Sequence, residues 1–395
     1  MKILFVHEVD YQEKVIFEMH EIPEMLAERG HDVSFVDFPE HERLWPPRLR
    51  IKRETIRGRV VSNSEIKLIR LARVFPFPID RLYNACVSWF QIRAEIRKSR
   101  PDLIFLYGVP TNGWQTVLLA RRDGIPVIYR AIDVSHQIRN TFFSRLIKVA
   151  EKFVVRNVDI VLTNNLAMSE HVTSLGAPVE NVRVLFPGVA GIGTEREVEE
   201  FEKRSDVILF MGTLFEFSGL TDLVGWINEW RGLVGECELW ILGDGPHKKS
   251  IVEKANEVGW LGQIKFFGFV PFHELDEMMR TATVAVLPFD EIPVAHIALP
   301  GKVPQYIRAG LPVVSTRLKG LSSLLSEGEG VLYSAPGKEF VAKINQLLND
   351  VDLQHAVVKR GTVRLNETCN WVVVIREIES IITDLASKID GHRAR

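Results

Sequence analysis

The chain has 395 residues, of which 46% are hydrophobic and 25% charged, and its formal net charge is −2. This composition indicates a globular protein of two domains or one large one, and it excludes disordered, fibrous and collagen-like chains. Three widely separated cysteines without a CxxC pair or His/Cys metal spacing exclude a disulfide framework and indicate buried thiols in a reducing cytoplasm: Cys86, Cys237 and Cys369.

The N-terminal half predicts strands that alternate with helices. Ile3–Val6 is too short for the apolar region of a signal peptide, so it predicts a buried strand. An amphipathic segment over residues 17–29 ends at Gly30, where a helix cap needs a left-handed residue, and a second strand follows at Val33–Val36. Further strands are predicted at Leu103–Leu106, Val127–Tyr129 and Ile160–Leu162. No stretch of 18 uncharged apolar residues exists, which argues against a membrane-spanning helix.

Residues 42–100 form a basic region with 15 Lys and Arg against 5 Asp and Glu, a local balance of +10. Aromatic residues are interleaved with these charges: Trp45, Phe75, Phe77, Tyr83, Trp89 and Phe90. Two interpretations stay open, a solvated basic face with its own small core, and a surface for an anionic membrane or an anionic acceptor. Nucleic acid is not expected as a partner, because no recognition motif accompanies the charge.

A turn-rich, charged segment over residues 187–206 predicts a linker, after which the alternation of strands and helices starts again. The second set of strands is predicted at Val207–Met211, Leu239–Leu242, Ile264–Phe266, Val284–Leu287, Val313–Ser315 and Gly330–Tyr333. The predicted fold class is α/β, with two Rossmann-like, doubly wound parallel-sheet domains. We expect one domain over residues 1–190 and the other over residues 195–370.

Ligands bind beyond the carboxyl ends of the strands in open parallel sheets, so the loops there are the candidate sites. The first such loop contains Gly212 and leads to a helix that begins near Leu220, where backbone N–H groups could approach a phosphate. The second contains Gly243 and is typical of a structural turn. In the third, Lys302 and Gln305 lie three residues apart on one helix face, which suits a ligand with phosphate and ribose.

These motifs resemble the two-Rossmann-domain (GT-B) retaining glycosyltransferases, in particular glycosyltransferase family 4. The resemblance is ordered along the chain through "ERGHDVSFVD", "RPDLIFLYG", "VRVLFPGVAG", "VILFMGTLFEFSGLTDLV", "LWILGDGP" and "LPGKVPQYIRAGLPVVST". The closing "CNWVVVIREIESII" looks like the family's last helix, which returns to the first domain over about residues 371–390. The resemblance implies two domains that face each other across a cleft, with the donor bound to the second and the acceptor to the first.

The resemblance also implies roles for individual residues. Gly212 and its turn, with Thr213, Ser218 and Gly243, would approach the diphosphate of the donor, and Lys302 would lie near the phosphates. Phe269 and Val270 would lie beside the nucleobase, and Gln305 stands where the family has a ribose-binding glutamate. Thr213 and Ser218 occupy the positions of a family Arg and Lys, and losing two charge-assisted hydrogen bonds of roughly 1.5–3 kcal/mol each would weaken donor binding.

Other candidates concern catalysis and the acceptor. Asp290 or Glu291 could take the role of the family's first glutamate and orient the sugar hydroxyls. The family's histidine that faces the donor sugar is replaced by Ile132, and Asp133 and His136 follow as candidates. His7 and Glu8, directly after the first strand, are candidates for acceptor binding.

The leading interpretation is a cytoplasmic enzyme, peripheral at the inner face of the membrane, that transfers a sugar from a UDP- or GDP-sugar to an acceptor hydroxyl with retention. The acceptor would be a lipid-linked or glycan molecule of cell-surface polysaccharide or glycolipid synthesis. No cofactor beyond the nucleotide-sugar and no essential metal are expected. The alternatives are a non-catalytic homologue that acts as a binding or scaffold subunit and, less favoured, a sugar-nucleotide epimerase.

Overall fold

The computed structural model describes residues 1–38, 50–72, 79–134, 144–191 and 206–393. The chain divides into two compact units, one made of Met1–Pro187 with Val372–Arg395 and the other of Gly188–Trp371. Within the described residues, an eight-stranded sheet forms the centre of the N-terminal unit and a six-stranded sheet forms the centre of the C-terminal unit. Both sheets belong to the α/β class that the alternating pattern predicted.

The N-terminal sheet is parallel except at one edge. Its strands are β1 (Lys2–Val6), β2 (Asp32–Asp37), β3 (Lys52–Arg57), β4 (Glu65–Arg70), β5 (Leu103–Leu106), β6 (Val127–Ala131), β7 (Ile160–Thr163) and β8 (Val182–Val184). The spatial order is β3-β4-β2-β1-β5-β6-β7-β8, and only the β3–β4 pair is antiparallel. Phe5 on the central strand stacks on Phe35 and Phe105 of its two neighbours, with ring centroids 6.1 and 5.0 Å apart. Continuous apolar runs therefore form strands that are buried on both faces.

Five helices of the N-terminal unit lie between its strands in the described part of the chain: α1 (Glu18–Glu28), α2 (Ile79–Ser99), α3 (Gly113–Asp123), α4 (Ser144–Asn157) and α5 (Leu166–Ser174). Helix α1 packs on β2 and β4, whereas α2 packs on α3 and α3 packs on α4. Gly30 follows α1 with φ 89°, the left-handed conformation expected at a helix end. Because α2 packs on α3 and α3 packs on α4, these three helices form one continuous layer.

The C-terminal sheet is parallel throughout the described residues. Its strands are β9 (Val207–Met211), β10 (Glu238–Leu242), β11 (Ile264–Gly268), β12 (Val284–Leu287), β13 (Val313–Ser315) and β14 (Val331–Tyr333). They lie in the order β11-β10-β9-β12-β13-β14. Strands β9 and β12 lie at the centre, so the loops after them open at the middle of the sheet's carboxyl edge.

Helices of the C-terminal unit connect these strands or follow the last of them: α6 (Leu220–Glu229), α7 (Arg231–Val234), α8 (Lys248–Glu257), α9 (Phe272–Thr281), α10 (Pro293–Ile297), α11 (Lys302–Arg308), α12 (Lys319–Leu324), α13 (Lys338–Asn349) and α14 (Val351–Thr368). The last helix, α15 (Trp371–Arg393), belongs to the N-terminal unit from Val372 onward. Its Glu379 pairs with Arg29 at 2.9 Å and lies 3.6 Å from His31, which ties the helix to the end of α1.

All strands predicted from apolar runs are present, with ends within two residues of the prediction. Sequence reasoning missed β3, β4 and β8. In strand β3, "KRETIR", four of the six residues are charged and only Glu54 and Ile56 are half-buried, a pattern typical of a sheet edge. Part of the basic region is therefore a hairpin-like extension of the sheet. In the described ranges, no helix has the length and apolar character needed to cross a bilayer.

Candidate functional site

Two glycine turns follow neighbouring strands of the C-terminal sheet at its carboxyl edge. Gly212 after β9 has φ 135°, and Gly243 after β10 has φ 143°, backbone conformations that L side chains rarely adopt. The Gly212 N–H donates to the Leu242 carbonyl at 2.8 Å. A Cβ built on Gly243 would lie 2.1 Å from the Gly212 carbonyl oxygen. The turns pack backbone against backbone, so Gly243 supports the Gly212 turn.

The loop after Gly212 is also packed tightly against the carboxyl end of β12. Gly219, with φ 67°, caps α6, which begins at Leu220 as the sequence predicted. A Cβ on Gly219 would lie 1.7 Å from the Pro288 carbonyl oxygen. This close approach fixes the start of α6 beside the residues that follow β12.

Two polar residues of this loop differ in accessibility. Thr213 is exposed, so its hydroxyl is available to a ligand. Ser218 is only 1% exposed, and its Oγ donates to the Phe215 carbonyl at 2.6 Å. Because this hydroxyl is used inside its own turn, the geometry argues for a structural role of Ser218 rather than the predicted contact with a donor.

Lys302 is the first residue of α11 and reaches back to the Gly212 turn. Its Nζ lies 4.3 Å from the centroid of the Phe210 ring and 5.1 Å from that of Phe289. A Cβ on Gly212 would lie 2.5 Å from this Nζ. The residue as a whole is half-buried, but burial of its ammonium end lowers the pKa of Lys302 from 10.5 to about 7. No carboxylate among the described residues pairs with it.

Tyr306 joins α11 to β9. Its ring is fully buried, and its hydroxyl accepts a 2.7 Å hydrogen bond from the Met211 N–H. Gln305, one residue earlier, is half-buried, and its side-chain amide has no hydrogen-bond partner within the described residues. Sequence reasoning assigned Lys302 and Gln305 but missed Tyr306. The available signal was the tyrosine of the "P-x-K-x-x-E-Y" pattern, which stands here as "PGKVPQY".

Asp290 and Glu291 follow β12 and lie beside the loop that carries Phe217. The Asp290 N–H donates to the Phe217 carbonyl at 3.0 Å. Burial, followed by the negative charges of Asp222 and Glu216, raises the pKa of Asp290. Glu291 is exposed. Of the two candidates, Asp290 is therefore the one held in a fixed place near the Gly212 loop.

Phe269 and Val270 follow β11 at the same edge of the sheet. Phe269 is 84% exposed, and Val270 is half-buried. Gly268 before them has φ 67° and forms an isolated bridge with Gly243. The sheet order β11-β10-β9-β12 therefore places the segments at Phe269, Gly243, Gly212 and Asp290 in sequence along one edge.

His7 and Glu8, the candidates for acceptor binding, are both buried in the N-terminal unit. The ring of His7 stacks on Tyr107 with centroids 5.0 Å apart. Glu8 is 4% exposed, and its Oε1 accepts from the N–H groups of Thr111 and Asn112 at 2.5 and 3.1 Å. Since Asn112 is the residue before α3, Glu8 acts as the carboxylate that caps this helix. Its role in the structure is thus to join the loops after β1 and β5.

A buried ion pair near the carboxyl end of β6 was missed by sequence reasoning. Arg130 is 1% exposed and donates to both carboxylate oxygens of Glu18, at 2.8 and 2.7 Å. Its Nη1 also donates to the Thr163 and Leu185 carbonyls at 3.1 and 2.7 Å. The only signal in the sequence was a single arginine inside the apolar strand "VIYRA".

The remaining two catalytic candidates, Asp133 and His136, follow β6 in the sequence. Asp133 is reached by solvent, yet the protein around its carboxyl reduces hydration, and this effect together with the charge of Glu18 raises the pKa of Asp133. His136 lies outside the described residues, so its predicted role stays a prediction. No group of three or more His, Cys, Asp or Glu side chains in the described ranges could hold a metal ion.

Two cations of the basic region form ion pairs inside the N-terminal unit. Arg70 is buried and bonds to Asp37 at 2.9 Å and to Asp10 at 2.5 Å. Arg53 donates twice to Glu95, at 2.9 and 2.7 Å. Arg53 of β3 and Arg70 of β4 therefore neutralise neighbouring carboxylates, which fits the expected basic face with its own small core at these two positions.

Comparison with known proteins identifies the two halves separately. The family model described as "Glycosyl transferases group 1" matches residues 192–364, and the "Glycosyl transferase 4-like domain" matches residues 18–188. A lipopolysaccharide core biosynthesis glycosyltransferase of Rhizobium meliloti, LpsE, is 26% identical over 52% of this chain and 58% of its own length. Glycogen synthase of Mycobacterium tuberculosis is 23% identical over 58% of this chain and 55% of its own length. The chain thus spans little more than half of these curated relatives.

Solved structures match along nearly the whole chain. HepE of Anabaena, crystallised with UDP, aligns with a TM-score of 0.71 and 14% identity, over 97% of this chain and 100% of that one. Sucrose-phosphate synthase of Thermosynechococcus elongatus gives a TM-score of 0.71 with 15% identity, over 98% and 99% of the two chains. The two family models follow each other along most of the sequence, and the chain therefore belongs to the group 1 glycosyltransferases and has their GT-B type of fold, with two Rossmann-like domains.

Proposed function

We propose that the protein transfers a sugar from a nucleoside-diphosphate sugar to an acceptor hydroxyl, with retention of configuration. The donor would bind at the carboxyl edge of the C-terminal sheet, between the Gly212 turn and helix α11. The reaction would serve synthesis of a cell-surface polysaccharide, glycolipid or lipid-linked glycan.

The observation that carries the proposal is the position of Lys302. Its ammonium lies against the Gly212 turn and over two aromatic rings, with no carboxylate partner among the described residues. Burying a cation without an anion is unfavourable, and the lowered pKa of about 7 expresses that cost. A diphosphate bound at the turn would supply the missing anion and restore the protonated form. The site is therefore suited to an anionic ligand.

This arrangement also suits the chemistry of sugar transfer. As the glycosidic bond breaks, negative charge builds on the departing diphosphate, and a fixed cation with backbone N–H donors can stabilise that charge. Lys302 and the N–H groups of the Gly212 turn would serve this purpose. Asp290, held beside the Phe217 carbonyl, would orient hydroxyls of the sugar. The proposal needs no metal ion, and we expect turnover to persist in EDTA.

Relatives and structural neighbours indicate the class of donor and acceptor. HepE has been crystallised with UDP and with UDP-glucose, which makes UDP-sugars the first donors to test. LpsE is named for lipopolysaccharide core synthesis, and WaaB, with a TM-score of 0.69, for the lipopolysaccharide outer core. We infer an acceptor that is lipid-linked or part of a glycan, and a protein that works from the cytoplasm at an anionic membrane surface.

A non-catalytic scaffold remains the second candidate, because of a specific observation at the donor loop. Residues 212–219 contain no Lys or Arg, and they include Glu216, whose charge opposes a phosphate. Lys302 alone would have to do the work of two cations. Donor binding without turnover would favour this second candidate.

Calorimetric titration with UDP, GDP and ADP tests the proposal directly. We expect one nucleotide to bind, and Lys302→Ala to weaken it by about 10–100-fold, the effect of losing one charge-assisted hydrogen bond. Lys265→Ala is the matched control, because Lys265 belongs to the same unit but pairs with Glu238 at 2.7 Å on the surface. Absence of binding by all three nucleotides would contradict the donor site, and unchanged affinity in Lys302→Ala would contradict its placement.

A further inference from the structure

The helical layer of the N-terminal unit exposes cations and large apolar side chains together. Helices α2, α3 and α4 pack side by side. We define the basic helical face by six outward residues on these helices: Phe90, Leu118, Arg145, Leu146, Lys148 and Val149. Five of these six residues lie outside residues 42–100, the region that composition alone singled out.

The pattern of α4 shows how this face arises. Arg145, Lys148, Val149 and Lys152 recur at spacings of three and four residues, so they share one side of the helix. The opposite side carries Ile147, Val154 and Val155, which are buried. The helix therefore packs one side into the core and exposes the other side, with its basic and apolar residues, to solvent.

The apolar members of the face are unusually exposed. Leu146 is 65% exposed, Val149 is 64% exposed and Phe90 is 68% exposed, and Leu118 on the helix between them is 37% exposed. Single exposed apolar residues are common, but several on adjacent helices mark a surface that contacts something apolar. None of these four side chains is needed to fill the core.

The local structure of α4 gives no reason for cations at the start of the helix. The amino end of a helix carries partial positive charge, which favours acidic residues and disfavours basic ones. Arg145 and Lys148 lie at this end, and the first turn of α4 has no acidic residue. The acid within α4, Glu151, is buried beside His171 at 3.5 Å. Among the described side chains of α2, α3 and α4, Asp123 is the one exposed carboxylate.

We propose that the basic helical face docks the protein on an anionic lipid bilayer. Cations near an anionic membrane contribute attraction, and apolar side chains on the same face can enter the headgroup boundary. Leu146 and Val149 lie among the cations, as this geometry requires. A nucleic acid would attract the cations but would leave the four exposed apolar side chains in water, so it matches the face less well.

This inference deepens the membrane part of the proposed function and rests on it for the reason why docking is useful. A lipid-linked acceptor remains in the membrane, and a docked enzyme would meet it by diffusion in two dimensions. The surface itself belongs to the N-terminal unit, whereas the nucleotide site belongs to the C-terminal unit. The two proposals can therefore be tested separately.

Sedimentation with vesicles tests the surface. The full chain is mixed with vesicles of phosphatidylcholine alone or of equal parts phosphatidylcholine and phosphatidylglycerol. We expect binding to the anionic vesicles only, and Arg145→Glu/Lys148→Glu to lower the partition coefficient by at least about tenfold. Leu146→Ser/Val149→Ser is expected to lower the partition coefficient as well. Because this variant keeps the cations, the size of that loss should depend little on salt concentration.

Matched controls lie in the C-terminal unit. Lys249→Glu/Lys319→Glu makes the same change in charge at exposed positions, and Val363→Ser removes an apolar side chain that is 51% exposed. Both controls should bind vesicles like the wild type. The face variants should keep the nucleotide affinity of the wild type, which shows that they are folded and separates this test from that of the donor site.

Cys86 allows a second readout on the same layer. It is exposed on α2 one turn before Phe90, contrary to the buried thiol expected from the sequence, whereas Cys237 and Cys369 are buried at 2% and 0% exposure. A polarity-sensitive fluorophore attached there should shift to shorter wavelength on anionic vesicles. Failure of the wild type to bind these vesicles would overturn the proposal. The proposal would also be overturned if Arg145→Glu/Lys148→Glu bound these vesicles as well as the wild type does. In a parallel titration with duplex DNA, binding by the wild type that this variant loses while it keeps vesicle binding would overturn it too.

Discussion

The ammonium of Lys302 lies so close to Gly212 that a single added carbon on the glycine would stand 2.5 Å from its Nζ. The two residues are 90 positions apart in sequence and meet because α11 is tied to the end of β9 through Tyr306. This contact brings a cation and a glycine turn to one point at the carboxyl edge of the sheet.

Gly212→Ala should weaken nucleotide binding and lower stability. The new methyl group would push Lys302 away from the turn, and φ 135° is strained for alanine, at a cost of roughly 1–3 kcal/mol. Calorimetry with the nucleotide and thermal unfolding measure the two effects. Gly259→Ala is the control, since Gly259 has φ 67° but no atom within 4 Å of an added Cβ. It should lose stability and keep its affinity, and equal affinities in both variants would refute the contact.

Nucleotide affinity should fall as pH rises above about 7. The free protein holds Lys302 with a pKa of about 7, and the ligand needs the ammonium form. Affinity is therefore expected to drop by up to about tenfold per pH unit between about pH 7 and pH 9. Titration calorimetry at several pH values checks this slope, and Lys302→Met should abolish it. A wild-type affinity that stays constant over this range would contradict the lowered pKa.

The lowered pKa of Lys302 also predicts that the stability of the free protein changes with pH in the opposite direction from its nucleotide affinity. Between its folded pKa of about 7 and its unfolded value of 10.5, the unfolded chain binds more protons than the folded one. The contribution of Lys302 to stability therefore rises with pH across this window and is least favourable below about pH 7. In urea unfolding without nucleotide, the free energy of unfolding of Lys302→Met should exceed that of the wild type by most at about pH 6. The difference between the two should shrink by about pH 9.

Tyr306→Phe should cost both stability and affinity. Removing the hydroxyl leaves the Met211 N–H without its acceptor, at a cost of roughly 1–3 kcal/mol, and frees α11 from β9. Tyr333→Phe is the matched control, because Tyr333 donates to the Leu325 carbonyl at 2.8 Å within the same unit. Urea unfolding should show losses in both variants, whereas only Tyr306→Phe should lower nucleotide affinity. Unchanged affinity there would mean that the link does not position Lys302.

Glu18→Leu should destabilise the N-terminal unit strongly. The change leaves Arg130, which is 1% exposed, as a buried charge without its carboxylate, and such losses are about 3–5 kcal/mol. The double variant Glu18→Leu/Arg130→Met should recover most of the stability, because an apolar pair replaces the ion pair. Urea unfolding of the two variants provides the comparison. A double variant no more stable than Glu18→Leu would contradict this explanation.

Much of the fold could be predicted because continuous apolar runs and glycine stops determine parallel strands and helix ends locally. Ile3–Val6 and Val207–Met211 carry that signal within a few residues. Strand β3 carries little of this signal, because "KRETIR" contains one apolar residue among charged and polar ones. Its pairing with β4 depends on tertiary contacts, among them that of Arg53 with Glu95, which sequence periodicity does not contain.

The candidate site was predictable in part for a similar reason. Lys302 and Gln305 stand on one helix face by spacing alone, and the resemblance indicated their roles. The link from Tyr306 to Met211 and the ion pair of Arg130 could not be predicted, because each depends on how distant segments approach in space. The hydrogen bond of Ser218 to Phe215 is local, but the resemblance had assigned that hydroxyl to the donor. Glu8 is a further case, since its partners lie 103 and 104 residues away.

The carboxylate of Glu8 gives the two sheets different electrostatic characters. At the amino end of α3, where a Rossmann-like fold could attract a phosphate, the protein supplies its own carboxylate, buried and bonded to two backbone N–H groups. A nucleotide would have to displace that carboxylate at a large cost in desolvation and hydrogen bonding. If the donor binds the C-terminal sheet as proposed, this internal carboxylate gives a physical reason why one polypeptide with two similar sheets would bind the anionic co-substrate at only one of them.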